Sequence, residues 1–515
     1  MEQHAHDRDA TIAYTLRMRI TVVGGGLAGM VAAWRLAERG CSVDLYEAGD
    51  RLGGKAGATR HGSDVDEHGY HIFPMWYRNI WRLVDELGIG HHFADVEDFL
   101  QLSRGEYPHY KKLTNLGSVR HVWRNLRSGV LPFEEMALFF YSTLDLMSHR
   151  FSYAAFLDQT SVNGFVRGRF YRTERVALQH QDLLLKGISV PSYAVSAMTM
   201  RNVLKFWFRY PLPMHRVLKG DLQQFWIDPI AARLASLGVR VHLGTRLEKI
   251  HVSEGRVVAI DLHGSDVERL DVERLVVAIP WERLTAALDD ELFAAAPGLF
   301  KINGLNSAPM AALNVYFRGR IEGIPKEHVN LLGGRYGLSF IDVGQWWPQY
   351  GGRRTVLNAI SSNFEALQGV SEDVAVRELV DELLEFIPSL RGQEIEKTDF
   401  QSHAHEPLFM NEVGAWHFRP EARTELANLY LAGDYCRTHI DLVSMEGATA
   451  AGLLAAEAAR ADAGLPDPVD ILVPDEWPRW LLWMLWFVGL PVAALLKAVA
   501  HLRGHATQSE PPRAA

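Results

Sequence analysis

The stretch from Arg19 to Glu47, RITVVGGGLAGMVAAWRLAERGCSVDLYE, constrains the fold more than any other. Ile20 to Val23 is a short β-branched run, the composition of a buried parallel strand. Gly24, Gly26 and Gly29 then form G-x-G-x-x-G. Met30, Val31, Ala33, Trp34 and Leu36 follow at helical spacing, and Gly40 predicts the helix end. Ser42 to Tyr46 alternates as a second strand, and Glu47 closes it. Gly24 permits the tight turn, and Gly26 lets backbone approach a pyrophosphate. Gly29 lets the helix pack on the strand. The helix start at Leu27 and Ala28 offers free N–H groups and a positive dipole end to phosphate. Glu47 stands where a carboxylate accepts hydrogen bonds from a ribose. This order of parts predicts a dinucleotide site; a purely structural βαβ unit is the alternative.

The next residues separate the dinucleotides. Ala48 to Ala56 reads AGDRLGGKA, a second glycine pair followed by a cation. It resembles the E-x-x-x-R-x-G-G-[RK] extension of the flavin amine oxidase and carotenoid desaturase superfamily. The resemblance implies a non-covalently bound FAD, with Arg51, Gly54 and Lys55 near its pyrophosphate. Lys55 departs from the family's usual arginine and loses the bidentate fork. A solvated loop is the alternative for Arg51 and Lys55.

Two further segments carry the resemblance. Asp64 to Asn79, DVDEHGYHIFPMWYRN, is too aromatic for a simple connector. It is similar to the loop that passes beside the isoalloxazine ring in plant-type phytoene and ζ-carotene desaturases. That similarity places Gly69, Tyr70 and His71 at the ring, with His71 as the candidate base. A loop pinned by aromatic core residues is the alternative, and His68 with His71 is a weaker metal candidate, lacking further ligands nearby. Near the far end, LYLAGDYCRTHIDLVSMEGATAAGLL (Leu429 to Leu454) resembles the L-A-G-D-Y…S-M-E-G-A end of the same enzymes. It implies Gly433 and Asp434 at the ribityl chain, and Ser444 and Met445 at a helix start facing flavin N1 and O2, where negative charge develops on reduction. Glu446 is read as structural. Leu247 is expected to lay backbone over the adenine.

The fold class these motifs imply is α/β: a Rossmann-like FAD-binding domain, an inserted α+β substrate domain and a helical, membrane-associating C-terminal segment. At 515 residues the chain is too long for one core. The expected organisation is a disordered leader (1–17), a discontinuous FAD-binding domain (18–92, 215–280, 425–462), a substrate domain with a helical cap (93–214, 281–424), and a linker and tail (463–515). Helices are predicted over Ile80 to Gly88, Phe133 to Met147, Gly164 to Leu178, Val203 to Phe208, Leu222 to Leu237 and Ser371 to Phe386. Net charge −9 without a long basic run argues against nucleic acid. Only Cys41 and Cys436 are present, both in expected core, so a reducing compartment is expected and no disulfide. No metal site is expected. The run Gln401 to Glu406, QSHAHE, resembles a metal or acid/base cluster but sits beside a proline and reads as a loop or strand end.

The tail starts with prolines at 466, 468, 474 and 478, a linker composition. Trp480 to Leu496, WLLWMLWFVGLPVAALL, then carries no charge. It is short for a bilayer core of about 30 Å, and Gly489 and Pro491 are expected to break it. Tryptophans at 477, 480, 483 and 486 suit an interface. The expectation is monotopic insertion on the cytoplasmic face, with Lys497 and Arg503 meeting headgroups; a packing helix and a true span are the alternatives. The aromatic–basic run Lys205 to Tyr210 also suits a membrane-facing surface or, equally, core packing. The resemblance points to an enzyme acting on a long isoprenoid hydrocarbon, most simply a carotenoid desaturase with a lipid quinone as electron acceptor. Carotene isomerase or aromatase, squalene-type dehydroxylase, amine oxidase and non-enzymatic prenyl-lipid carrier are the rivals.

Overall fold

A computed structural model describes residues 18–61, 64–67, 69–149, 154–210, 212–264, 268–402 and 407–508. The expected leader, His68, and the His403-to-Glu406 part of the candidate cluster lie outside these residues. Strand β1 (Arg19–Val23), helix α1 (Leu27–Glu38) and strand β2 (Ser42–Tyr46) come in the predicted order. Helix α2 (Arg78–Leu87) ends on left-handed Gly88. The cap contributes α3 (Val119–Leu126), α4 (Phe133–Ser148) and α5 (Ala197–Arg209). The chain then adds β3 (Arg240–His242), β4 (Leu275–Val277), β5 (Leu429–Leu431), α6 (Met445–Asp462) and α7 (Arg479–Gln508).

The cofactor sheet is parallel, in the order β3-β2-β1-β4-β5. Val22 pairs with Leu45 on one side and Val276 on the other, and Val276 with Tyr430. Helices cover both faces of such a sheet, so its strands read as continuous apolar runs: Val22, Leu45, Val276, Val277 and Leu431 are fully buried. Three visits of the chain therefore build one sheet. α1 and α6 cross so closely that a Cβ on Gly452 would lie 2.3 Å from the Ala28 carbonyl oxygen.

The substrate domain is organised on a seven-stranded sheet in which Ala311–Phe317 lies between Ile395–Ser402 and Val356–Ser361. Its far edge corrects the expectation of a wholly helical cap after Phe93. Phe99–Ser103 and Lys111–Leu113 are strands of this sheet, Leu100 pairing with Val329. Two predicted helices also differ. Gly164 to Leu178 is two helices, Val162–Arg167 and Glu174–Ile188, because Thr173 caps the second by accepting from Val176 N–H at 3.1 Å. Leu222 to Leu237 opens as a π turn at Gln223–Ile227 and becomes α-helical at Asp228. Pro229 lies in the first turn of that helix, where its missing N–H is tolerated. Glu372–Phe386 is a helix as predicted, but Ser371 makes no side-chain capping bond.

The tail departs most. The proline-rich linker is a docked strap. Asn79 exchanges hydrogen bonds with the Leu472 backbone at 2.8 and 2.9 Å, Arg82 pairs with Asp470 at 2.8 Å, and Lys205 pairs with Glu476 at 2.5 Å. Arg209 lies over Trp477. Lys205 is buried under this strap and Phe206 against Trp76, so that part of the aromatic–basic run is packing rather than a membrane face. Beyond it α7 is continuous through Gly489 and Pro491. Gly489 admits the Tyr141 ring, whose atoms come within 3.0 Å of where a Cβ would stand, and Tyr141 Oη donates to the Trp486 carbonyl at 3.3 Å. Packing along α4 thus holds a helix that proline alone would weaken by about 3 kcal/mol. Residues Arg479–Arg503 are long and apolar enough to cross a membrane by length and composition. Lys497 instead donates to the Arg172 carbonyl, and Arg503 pairs with Glu134 at 2.7 Å. Both cations expected at headgroups are therefore engaged within the protein.

Candidate flavin site

The turn between β1 and α1 is built by contacts only glycine allows. Gly24 has φ +109°, and a Cβ there would meet the Ala278 carbonyl oxygen at 2.3 Å. A Cβ on Gly29 would stand 1.9 Å from the Gly24 oxygen. Gly26 differs: a Cβ on it would meet no atom within 4 Å. It faces open space at the start of α1, which has no side-chain cap and no acidic residue in its first turn. Leu27 and Ala28 open the helix, so their backbone N–H groups have no intrahelical partner.

The second glycine loop closes one side. Gly53 N–H donates to the Gly25 carbonyl at 2.9 Å, and Gly54 comes against Gly26. Glu47 ties the two loops: Oε2 accepts from Gly25 N–H at 2.6 Å and Oε1 from Gly49 N–H at 2.7 Å. Its ribose role would use the remaining lone pairs, since a carboxylate has about four acceptor sites. Arg51 bonds Asp50 at 3.0 Å and the Thr59 hydroxyl. Lys55 Nζ donates to the Pro407 carbonyl at 2.8 Å, joining this loop to the substrate domain.

Gly69, Tyr70 and His71 come between the two domains. A Cβ on Gly69, φ +119°, would press on Ile360 at 3.0 Å. Tyr70 N–H donates to Asn358 Oδ1 at 3.1 Å; its hydroxyl donates to Ser339 at 2.8 Å and contacts His328 Nε2. His71 Nδ1 lies 3.0 Å from the Gly69 carbonyl, and donation there makes Nε2 the basic atom. His71 and Tyr70 share a narrow cleft with Glu67, Leu218, Val343 and Trp347. Glu67 is buried and accepts from Leu222 N–H at 2.7 Å; burial pushes its carboxyl up to about 8.

The C-terminal motif meets the same region. Asp434 is half-buried, and among the described residues only its backbone carbonyl is engaged, by Arg419 at 3.2 Å. Arg419 also binds the carbonyls of Tyr435 (3.0 Å) and Cys436 (2.6 Å) and pairs with buried Asp441. One buried guanidinium thus holds three consecutive carbonyls of the Asp434 loop. Thr199 and Asn202 of α5 reach Asp441 at 3.4 and 3.1 Å, connecting the cap to this clamp. Ser444 caps α6 by accepting from Gly447 N–H at 3.0 Å, and Met445 is buried beside it. Leu247 is buried in the hairpin Arg246–Ser253/Arg256–His263, paired with Leu262.

Sequence reasoning missed His328, Arg419 and Asp441, and gave Glu67 no role although it is the acid of the acidic-x-Gly step that ends at Gly69. For Asp441 the positive φ (45°) is the mark, and that is visible only in the fold. Among the described residues no group of three or more His, Cys, Asp or Glu is placed to hold a metal ion. The open Gly26 cradle, the uncapped start of α1 and the uncommitted Asp434 carboxylate fit pyrophosphate and ribityl groups at one site.

The parallel sheet, the paired glycine loops and the Asp434 segment define an FAD-dependent oxidoreductase. The chain belongs to the flavin containing amine oxidoreductase family, whose model matches residues 27–460. It is 26% identical to 15-cis-phytoene desaturase of Synechococcus elongatus over 476 residues, covering 86% of this chain and 95% of that protein. It is 24% identical to a probable zeta-carotene desaturase of the same organism, covering 86% and 98%. Among solved structures, a putative protoporphyrinogen oxidase from Exiguobacterium (20% identity, TM-score 0.63, 87% of this chain and 99% of that one) and cyclohexylamine oxidase from Brevibacterium oxydans (16%, TM-score 0.61, 87% and 99%) share the fold.

Proposed function

We propose that this oxidoreductase acts on a long isoprenoid lipid, as a desaturase of the phytoene or ζ-carotene type, at the cytoplasmic face of a membrane. The observation that carries this reading is the similarity to phytoene and ζ-carotene desaturases over 86% of the chain, covering cofactor and substrate domains together. Bound FAD supplies hydride acceptance at N5. The protein's part is to hold the hydrocarbon against the Gly69–His71 segment and exclude water. His71 Nε2 takes the proton released beside the broken C–H bond. A membrane quinone, apolar like the substrate, serves as electron acceptor.

The exposed apolar face of α7 supports delivery from a bilayer. Trp480, Phe487, Val488 and Leu495 are each more than 60% exposed. Such a face suits a helix lying in the interface. The free, buried thiols of Cys41 and Cys436 suit a reducing compartment.

The test is anaerobic incubation of the purified flavoprotein with phytoene or ζ-carotene in liposomes and a lipid quinone, with products resolved by absorbance. A lengthened polyene chromophore is expected. Isomerised, aromatised or dehydroxylated product without added double bonds would move the enzyme to a rival reaction. Flavin reduction by amines alone would place it with the amine oxidases.

A further inference from the structure

We propose that the Lys111–Phe133 surface is a second membrane contact, in which a cationic groove takes anionic phospholipid headgroups while Val119, Trp123 and Phe133 enter the bilayer beside it. This rests on the reading of α7 as a membrane-facing helix and adds to it a site and a lipid charge.

The groove is open, about 750 Å³, and is lined by His109, Lys111, Lys112, Arg124, Arg127 and Glu106. Two of its cations are internally paired, Lys111 with Glu106 at 2.6 Å and Arg124 with Asp98. Among the described residues Lys112, Arg127 and neighbouring Arg120 have no acidic partner. All three are exposed. A chain of net charge −9 thus gathers uncompensated positive charge on one short segment.

The apolar side chains next to that charge are also exposed. Val119 is 87% exposed, Trp123 48% and Phe133 44%. Arg127 lies over the face of the Trp123 ring at 4.3 Å, which holds the guanidinium against the aromatic. An aromatic entering the headgroup layer with a cation snorkelling beside it has this composition. A phosphate-only ligand would leave Val119 and Trp123 without a role, so the charge and the apolar wedge together select a lipid surface.

The position agrees. Trp123 meets Phe133, the first residue of α4, with ring centroids 6.0 Å apart. The next residue, Glu134, pairs with Arg503 at the far end of α7. Exposed Leu502 (71%) and exposed Phe133 thus stand next to the two partners of this ion pair, and Phe133 leads to Trp123 of α3. A bilayer meeting α7 meets the groove at the end of the same face.

The experiment is cosedimentation of the full-length flavoprotein with vesicles of phosphatidylcholine alone and of phosphatidylcholine mixed with phosphatidylglycerol. Each cation near an anionic surface contributes about 1 kcal/mol, so removing three predicts about a 100-fold loss. The K112Q/R120Q/R127Q variant should lose that much affinity for the mixed vesicles and keep its affinity for phosphatidylcholine. Val119→Ser with Trp123→Ser should weaken binding to both. If wild type binds both vesicles equally, or the triple variant keeps the phosphatidylglycerol gain, this site fails while the α7 reading stands. If wild type binds neither, both fail. If inorganic phosphate at matched ionic strength abolishes the gain, the groove is a soluble-anion site and the lipid assignment falls. The three residues lie on the surface, so an unchanged flavin spectrum verifies folding of the variants.

Discussion

Glu446, in the first turn of α6, carries the first turn of α2. Its Oε1 accepts from the Asn79 backbone N–H at 2.9 Å and side chain at 2.7 Å, and its Oε2 from the Ile80 N–H at 3.0 Å. The carboxylate acts as a cap supplied by another helix, satisfying orphan donors of the α2 start. The same Asn79 holds the strap at Leu472. One buried acid thus joins α6, the helix after the Gly69 loop and the tail.

This arrangement sets a pH dependence. Burial, only partly countered by the three hydrogen bonds, pushes the Glu446 carboxyl up to about 7 from 4.5. Between those values the folded protein holds a proton that the unfolded chain has released. Its contribution is therefore fully present below pH 4.5 and lost as pH rises through 7, by roughly 3 kcal/mol. Thermal unfolding of wild type and Glu446→Gln across pH 4 to 8 should give a difference that shrinks with rising pH. A constant difference would show that the group does not titrate in that window.

The two glycines of the α1 turn should separate folding from cofactor binding. Gly29→Ala places a Cβ 1.9 Å from the Gly24 oxygen, and no flexible side chain is there to yield. It should abolish soluble folded protein. Gly26→Ala meets no protein atom within 4 Å, so the apoprotein should fold with near-native stability yet lose FAD. Circular dichroism and visible absorbance after gel filtration check both. Gly26→Ala that retains FAD would remove this turn from the pyrophosphate.

Arg419 should be more costly to lose alone than with its partner. Asp441, buried, is pushed up to about 6 even with the guanidinium beside it. Arg419→Met strands that carboxyl and frees three loop carbonyls, a loss of about 3–5 kcal/mol. Arg419→Met with Asp441→Asn should recover part of the stability but not FAD affinity, because the Asp434 loop stays unclamped. Chemical denaturation and FAD titration on these two variants and on Asp441→Asn alone measure the two effects separately; additive losses would refute the pairing.

The parts legible in the sequence are those where backbone sterics dictate residue type over a short span. Gly24, Gly29 and Gly433 stand where a Cβ would collide, β1-α1-β2 follows within a residue of its expected ends, and α6 starts at Met445 as expected. Arg419, Asp441 and His328 were not legible, because their roles come from partners distant in sequence, such as Tyr70 and His328, 258 residues apart. The break expected at Pro491 failed for a similar reason. Local propensity described an isolated helix, whereas Tyr141, 345 residues before Trp486, supplies the missing support.

The tail offers a test of attachment in which the cut must be placed by the structure. Ending the chain at Pro474 would remove Asp475, Glu476 and Trp477 along with α7. Glu476 is the partner of buried Lys205, and Trp477 lies under Arg209, so that truncation would disturb the cap as well as the membrane face. Ending it after Pro478 leaves the strap docked and removes α7 alone. The cost is the apolar seam between α7 and α4, including buried Leu482 and Ala493, and the Arg503 partner of buried Glu134. Pairing the cut with Glu134→Gln avoids leaving that charge exposed to a stripped apolar surface. The shortened protein should keep FAD, since the site's motifs end in α6. On membranes without anionic lipid it should leave the membrane fraction for the soluble one, and its turnover on substrate in such liposomes should fall well below its turnover in detergent micelles. If it still pellets with membranes and loses no liposome activity, α7 is a packing helix and attachment lies elsewhere on the surface.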